Sequence, residues 1–159
     1  MARHTQRRTT AQQGHEAKLA PADMLCFAVY AASHAFTRFY KPLLDPLGLT
    51  YPQFLVIAAL GRADQQTVSD IGAQLLLDSG TVTPLLKRLQ ASGLITRQRD
   101  AQDERQVRVA LTGAGRELLA KMPGVHACVV AALGQNAESI HGLKAEIDSL
   151  RHALEAAAA

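Results

Sequence analysis

The sequence predicts a mainly α-helical domain carrying one small β-hairpin, and three observations support this. Apolar residues recur at helical spacing through most of the chain, whereas period-two alternation marks a short stretch around Val107, Val109 and Leu111. Leucine and alanine abound, while aromatic residues make up only 4% and tryptophan is absent. That composition favours helices over a β-sandwich. A chain of 159 residues buries roughly 70% of its unfolded surface, so one core suffices without disulfide or metal staples.

The elements follow in order. Residues 1–20 hold Arg3, Arg7 and Arg8 among Thr, Gln and Gly with almost no apolar periodicity, the composition of a flexible basic tail. A helix is expected from Pro21 to about Leu44, since Leu25, Ala28, Ala32, Ala35, Phe36, Phe39 and Leu43 share helical spacing and Pro21 suits a first turn. Asp45-Pro46-Leu47-Gly48 breaks it. Thr50 and Gln53 form a capping-box pattern ahead of the nearly all-apolar run Phe54–Leu60, which should sit in the core. A loop is expected over Arg62–Gln66, and Thr67 and Asp70 cap a short helix to about Leu76.

Asp78-Ser79 opens the next helix, through Thr81, Val82, Leu85, Leu86 and Leu89, and Ser92-Gly93 ends it. Ile95–Arg99 and Val107–Leu111 read as the arms of a hairpin around the polar turn Asp100–Gln106. Thr112 caps a helix running from about Gly113 towards Leu133, Gly134–Asn136 interrupts, and Glu138–Ala157 forms a last amphipathic helix.

Several classes of protein are set aside at this stage. No apolar run approaches the roughly 20 residues of a membrane span, so no membrane association is expected. The N-terminus lacks the apolar stretch of a secretory signal. Two cysteines in such a chain suit a reducing compartment, which makes the expected location cytoplasmic. The net charge of +3 and pI of about 9.1 permit a nucleic-acid partner without requiring one.

The order helix, short turn, helix, hairpin is the outline of a winged helix-turn-helix, over about residues 50–112. In such a unit the second helix enters the major groove of DNA. Ser79, Thr81 and Thr83 supply short donors near that helix's N-terminus, with Lys87 and Arg88 further along and Arg97, Arg99, Arg105 and Arg108 on the hairpin. Between Lys87 and Arg108 six basic residues face three acids, so this segment alone carries a surplus equal to that of the whole chain. A charged hairpin is by itself commonly just a solvated face.

The run Leu77-Asp78-Ser79-Gly80-Thr81-Val82-Thr83-Pro84-Leu85-Leu86-Lys87-Arg88-Leu89, then Gly93-Leu94-Ile95-Thr96-Arg97 and Asp103-Glu104-Arg105, closely resembles the MarR family of winged-helix repressors. With Leu25-Cys26-Phe27 and Leu49-Thr50-Tyr51-Pro52-Gln53, it looks like the organic-hydroperoxide-sensing branch, the OhrR type. The likeness is good over about residues 22–120 and looser in the C-terminal helices. It implies a single MarR-like domain over 21–159, with dimerisation helices at about 21–46 and 113–157. It also implies a homodimer on a pseudo-palindromic double-stranded operator, each wing placing Arg105 in the minor groove with Asp103 holding the arginine. The implied protein is a repressor and not an enzyme, with an organic hydroperoxide as inducer and no cofactor.

Cys26 falls in the first turns of the expected long helix, where free amide groups stabilise an anion, although Asp23 opposes this. Tyr30 is four residues on, one turn away on the same face. Tyr40 is fourteen residues on, a rise of about 21 Å, so it cannot touch Cys26 within one straight helix, while an antiparallel second copy of the helix would bring it within reach. The resemblance implies that arrangement. By it Cys26 is the peroxide-reactive cysteine and Tyr40 and Tyr51 of the partner bond its thiolate, with Tyr30 a further match. Apolar Leu25, Phe27, Phe36 and Phe39 favour alkyl or lipid hydroperoxides over hydrogen peroxide. The bland alternative for a cysteine in an apolar helix is a buried, inert filler.

Cys128, expected near a helix-to-loop region after Met122-Pro123-Gly124, is either a resolving cysteine for an intersubunit disulfide or another filler. His126 lies two residues before it, and His141 and His152 are too far apart along one helix to share an ion, so no metal site is expected. Two alternatives stay open. One is a MarR-type regulator answering to a phenolic ligand or a metal; the other is a thiol peroxidase using Cys26 and Cys128.

Overall fold

The computed structural model describes residues 20–158. The basic tail expected over residues 1–20 therefore lies, but for Ala20, outside the described residues. The chain divides into two units, one ending at Ala35 and the other starting at Phe36.

In the first unit, Pro21–Asp23 forms a single 3-10 turn closed by the amide of Met24 on the carbonyl of Pro21 at 3.1 Å. Met24 is extended, and α1 (Leu25–Leu44) starts only after it. The helix expected from Pro21 is thus shorter by one turn, which makes Cys26 the second residue of α1. From Leu25 to Phe39 every residue of α1 is exposed.

The second unit contains the core. Tyr40 and Leu44 at the end of α1 are buried, and a 3-10 turn over Asp45–Leu47 closes on Gly48, whose φ of +66° is left-handed. Helix α2 (Tyr51–Arg62) starts three residues ahead of the expected core run. Its cap is the expected Thr50: Gln53 Oε1 accepts from the Thr50 amide at 2.8 Å and hydroxyl at 3.1 Å. Phe54, Val56, Ile57 and Leu60 are buried, as the apolar run requires.

Part of the expected loop after α2 is a strand. Gln66 and Thr67 form β1, pairing antiparallel with Val109 and Arg108. Two residues carry too little alternation to be read as a strand, and only the partner strand reveals it. Helix α3 (Val68–Leu75) begins at the expected cap, with Thr67 Oγ1 accepting from the Asp70 amide at 3.1 Å. Leu76 follows with a left-handed φ of 56°. Helix α4 (Ser79–Ala91) is capped by Asp78, which accepts from the Thr81 amide at 2.8 Å, and Gly93 (φ +72°) turns the chain into the hairpin.

Strands β2 (Ile95–Arg99) and β3 (Val107–Leu111) pair antiparallel, Ile95 opposite Leu111 and Arg99 opposite Val107. The sheet order is β1-β3-β2, so β3 is central. Ile95, Val109 and Leu111 join Ile71, Val82, Leu86 and Leu89 in the core, fixing the wing against the helices.

The helix expected over 113–133 is two helices, α5 (Gly113–Leu119) and α6 (Met122–Leu133). Pro123 is the reason, because its missing N–H cannot bond the carbonyl of Leu119 and the helix must restart around it. Gly134 (φ +62°) ends α6, and α7 (Ala137–Ala158) buries none of its residues, leaving Leu143, Ile147 and Leu154 exposed.

Candidate nucleic-acid interface and thiol site

Helix α4 presents its polar side outward because Val82, Leu86 and Leu89 occupy the core side. Ser79, Thr81, Lys87 and Arg88 are exposed and Thr83 is half-buried. The Thr81 hydroxyl donates to Asp78 Oδ2 at 3.0 Å, which sets its rotamer at the start of the helix. Together the cap and these side chains leave the N-terminal end of α4 facing solvent.

The wing has two internal organisers. Asp100 Oδ1 accepts from the amides of Gln102 at 2.8 Å and Asp103 at 3.4 Å, the local turn that aspartate favours. Asp103 Oδ1 accepts from the Arg105 amide at 3.1 Å and from its Nε at 3.2 Å, while Oδ2 accepts from Gln106 Nε2 at 3.1 Å. The amides of Gln102 and Arg105, ahead of the guanidinium groups of Arg108 and Arg105, hold the carboxyls of Asp100 and Asp103 respectively below the ordinary carboxylate range. The Arg105 side chain is 92% exposed at the wing tip. Arg99 is exposed at the end of β2. Arg97 lies over the core on the Ile95 face of β2, and its buried Nε has no partner among the described residues.

Arg108 sits differently from the other basic residues. Its Nε pairs with Asp100 Oδ2, and its Nη1 donates to the carbonyl of Gln65 at 3.0 Å. Sequence reading put Asp100 at the start of the polar turn but missed its organising role, although an aspartate two residues before a donating amide is a recognisable turn signal.

It also missed two polar tethers. Asp64 accepts from the amides of Leu111 at 3.0 Å and Gln65 at 2.9 Å and pairs with Arg116 at 2.8 Å, joining the end of α2, β3 and α5. Buried Gln66 donates to the carbonyls of Ala59 at 2.8 Å and Ala63 at 2.5 Å, closing the end of α2, and accepts from Gln74 Nε2 in α3.

Cys26 is a free, exposed thiol in the first turn of α1. Its neighbours on the helix, Leu25, Phe27, Val29 and Tyr30, are exposed as well. Within the single chain this position is therefore not buried. Tyr30 packs its ring against Phe27 (centroids 6.3 Å apart) and edge-on to His34 (4.2 Å).

Tyr40 and Tyr51 belong to the second unit. They pack at 4.6 Å between centroids, with Phe54 5.6 Å from Tyr40, and border a cleft of about 260 Å³ with Lys41, Leu44, Leu49 and Thr50. Burial raises both phenol pKa values, and for Tyr40 a charge on Tyr51 would raise it further. Both therefore remain O–H donors at neutral pH. Cys128 lies inside α6, not at a helix-to-loop boundary, and is also free and exposed. Among the described residues no group of three or more His, Cys, Asp or Glu side chains is gathered for a metal ion.

A capped helix presenting hydroxyls and cations, beside a three-stranded wing with an arginine at its tip, defines a winged helix-turn-helix protein of the DNA-binding class. The sequence profile described as Transcriptional regulator SarA/Rot matches residues 38–122. The chain belongs to this MarR-like family of winged-helix transcriptional regulators. It is 48% identical over 134 residues to the HTH-type transcriptional regulator TtmR of Methylorubrum extorquens, covering 84% of this chain and 69% of that protein. It is 42% identical over 132 residues to the organic hydroperoxide resistance transcriptional regulator of Bacillus subtilis, covering 83% of this chain and 90% of that one. The structure of reduced AbfR bound to DNA superposes with a TM-score of 0.68 at 36% identity, over 82% of this chain and 91% of that one. These relatives are regulators and not enzymes, which sets aside the thiol-peroxidase alternative.

Proposed function

We propose that this regulator is a homodimeric repressor that senses organic hydroperoxides through Cys26 and releases a pseudo-palindromic operator on oxidation. The observation that carries the reading is the exposed thiol of Cys26 on an apolar, exposed stretch of α1 in a winged-helix chain. Exposed apolar residues along α1 and α7 suit helices that pair with a second copy. In that dimer Tyr40 and Tyr51 of one subunit donate to the Cys26 thiolate of the other, with Tyr30 beside it.

The chemistry is a displacement. The thiolate attacks one peroxide oxygen, the O–O bond breaks, and the leaving alkoxide takes a proton to depart as alcohol. Cys26 is left as a sulfenic acid. A sulfenic acid no longer matches hydroxyls arranged around an anion, so the dimer repacks. Where Cys128 of the other subunit attacks the sulfenic acid, water leaves and an intersubunit disulfide forms. On DNA, Ser79, Thr81, Thr83, Lys87 and Arg88 face the major groove and its phosphates, with the exposed Arg99 and Arg105 following the backbone and minor groove. Two such heads must dock together, so a small rotation between them costs avidity. Similarity to a named hydroperoxide-resistance regulator and to a reduced, DNA-bound one supports the reading. Under this reading the protein works in the cytoplasm, beside its DNA.

The cleft beside Tyr40 and Lys41 favours a second reading, a small phenolic effector bound there. One experiment separates the two. A duplex is selected by the wild-type protein from a randomised pool, and gel shifts are run with and without cumene hydroperoxide, wild type beside Cys26→Ser. Release by peroxide in the wild type and none in Cys26→Ser is the expected result. Peroxide-insensitive binding in both would overturn the redox reading, and release by salicylate in Cys26→Ser would establish the second.

A further inference from the structure

We propose that Arg108 and Asp100 form an internal latch that fixes the wing loop to the turn before β1, so that Arg108 acts as a positioning residue and does not contact DNA. The proposal rests on the winged-helix reading of the site and revises the role expected for one of its arginines.

Arg108 is the second residue of β3, opposite Thr67 of β1 on one side and Gln98 of β2 on the other. Its guanidinium donates through Nε to Asp100 Oδ2 and through Nη1 to the carbonyl of Gln65. Gln65 has a left-handed φ of 57° and lies 43 residues away in sequence, at the turn that leads from α2 into β1. Asp100 stands at the root of the wing loop; its side chain is only 10% exposed. Its other carboxylate oxygen accepts the Gln102 and Asp103 amides, and its own amide donates to the Gln106 carbonyl at 3.0 Å. Asp103, placed by this turn, then holds the amide and guanidinium of Arg105.

One side chain therefore connects the turn ahead of the recognition unit, the central strand, and both ends of the loop that carries Arg105. A planar guanidinium suits this task because its donors are fixed relative to one another, which an ammonium on a flexible stem does not reproduce. The positive charge of Arg108 is already met by Asp100, so little of it remains to attract a phosphate. Holding the loop in one shape before binding lowers the ordering cost on DNA, which is the general benefit of preorganisation.

Charge alone predicts the opposite result for one variant, and that makes the latch testable. Asp100→Asn removes an acid from a DNA-facing hairpin and by charge should tighten binding. With the latch it should weaken binding three- to tenfold. Arg108→Gln and Arg108→Lys should weaken it by a similar factor, because neither keeps both bonds. The double variant Asp100→Asn/Arg108→Gln should be no weaker than either single one, the coupling expected of partners. The slope of log affinity against log salt should stay at the wild-type value in every variant. Binding is measured by fluorescence anisotropy on the duplex selected by the wild type, with melting curves as controls.

Tighter binding by Asp100→Asn, full affinity in Arg108→Lys, or a salt slope in Arg108→Gln reduced by about one would mark Arg108 as a phosphate contact and overturn the latch. A second readout needs no DNA. Amide hydrogen exchange should quicken in Asp100→Asn and Arg108→Gln at Gln102 and at Gln106, whose amide donates to the Asp103 carbonyl at 2.9 Å within the loop, while amides of α2 stay protected. Unchanged exchange at those two amides would overturn the latch whatever the DNA results. Failure of the wild type to select any duplex would instead count against the DNA-binding reading.

Discussion

The rings of Tyr40 and Tyr51 lie 4.6 Å apart between centroids, tilted by 44°, so two phenols from α1 and α2 share one edge of the core. Burial raises both pKa values. A raised acid pKa means the folded state holds its proton longer than the unfolded chain. The associated stability is complete below about pH 10, the ordinary phenol value, and is lost as pH rises through the folded values. Tyr40→Phe and Tyr51→Phe should each change stability at neutral pH by no more than about 1 kcal/mol, because the ring packing is kept. They should blunt the alkaline loss of stability. Under the proposed function they should also shift the pH profile of Cys26 alkylation upward. Profiles identical to wild type in both variants would remove these tyrosines from the thiol's surroundings.

Arg105 is the most exposed of the wing's paired arginines, and its bond to Asp103 crosses a solvated turn. Such a pair adds roughly 0–1 kcal/mol to folding, so Arg105→Ala should melt within that range of wild type. Operator binding should weaken by about 1–3 kcal/mol if the side chain reads the groove. Equal affinity at matched salt would exclude Arg105 from the interface.

Gly115 is required by close approach. A Cβ built there would lie 2.1 Å from the carbonyl oxygen of Leu94, which itself accepts from the Thr112 amide at 3.1 Å. Backbone cannot yield as a flexible side chain does. Gly115→Ala should cost about 1–3 kcal/mol or more through overpacking, measured by urea unfolding. Gly113→Ala meets nothing within 4 Å and serves as the matched control, neutral or slightly stabilising. Equal stability of the two variants would show that the α5–β2 junction relaxes freely.

Asp64 ties together three elements, and its environment lowers its pKa. Partial burial works against ionisation, but the amides of Leu111 and Gln65 and the Arg116 side chain outweigh it. A lowered acid pKa stabilises the fold above the unfolded value of about 3.9, and this contribution is lost as pH falls through the folded value. Asp64→Asn should lower stability at pH 7 by about 1.5–3 kcal/mol, the range for hydrogen bonds to a charged group. Its stability should then depend less on pH below about 5. A variant with the full acid dependence of wild type would place that dependence on other carboxylates.

Much of this protein was legible in the sequence because it is written in local physics. Helix caps at Thr50, Thr67, Asp78 and Thr112, the left-handed glycines 48, 93 and 134, and the alternation through Val107, Val109 and Leu111 each follow from a few neighbouring residues. Together they were enough for the winged-helix order and the basic hairpin. Position in the sequence also put Cys26 near the start of a helix.

What only the tertiary structure decided depends on residues distant in sequence. The strand at Gln66–Thr67 exists because β3 offers it a partner, and nothing local announces it. Leu76 and Gln65 take left-handed conformations without being glycine, held there by the turns they close. The latch proposed for Arg108 depends on contacts of the same kind. A sequence shows that an arginine is charged, but whether that charge meets a phosphate or a carboxylate depends on what the fold brings within 3 Å of it; here this includes a backbone carbonyl 43 residues away.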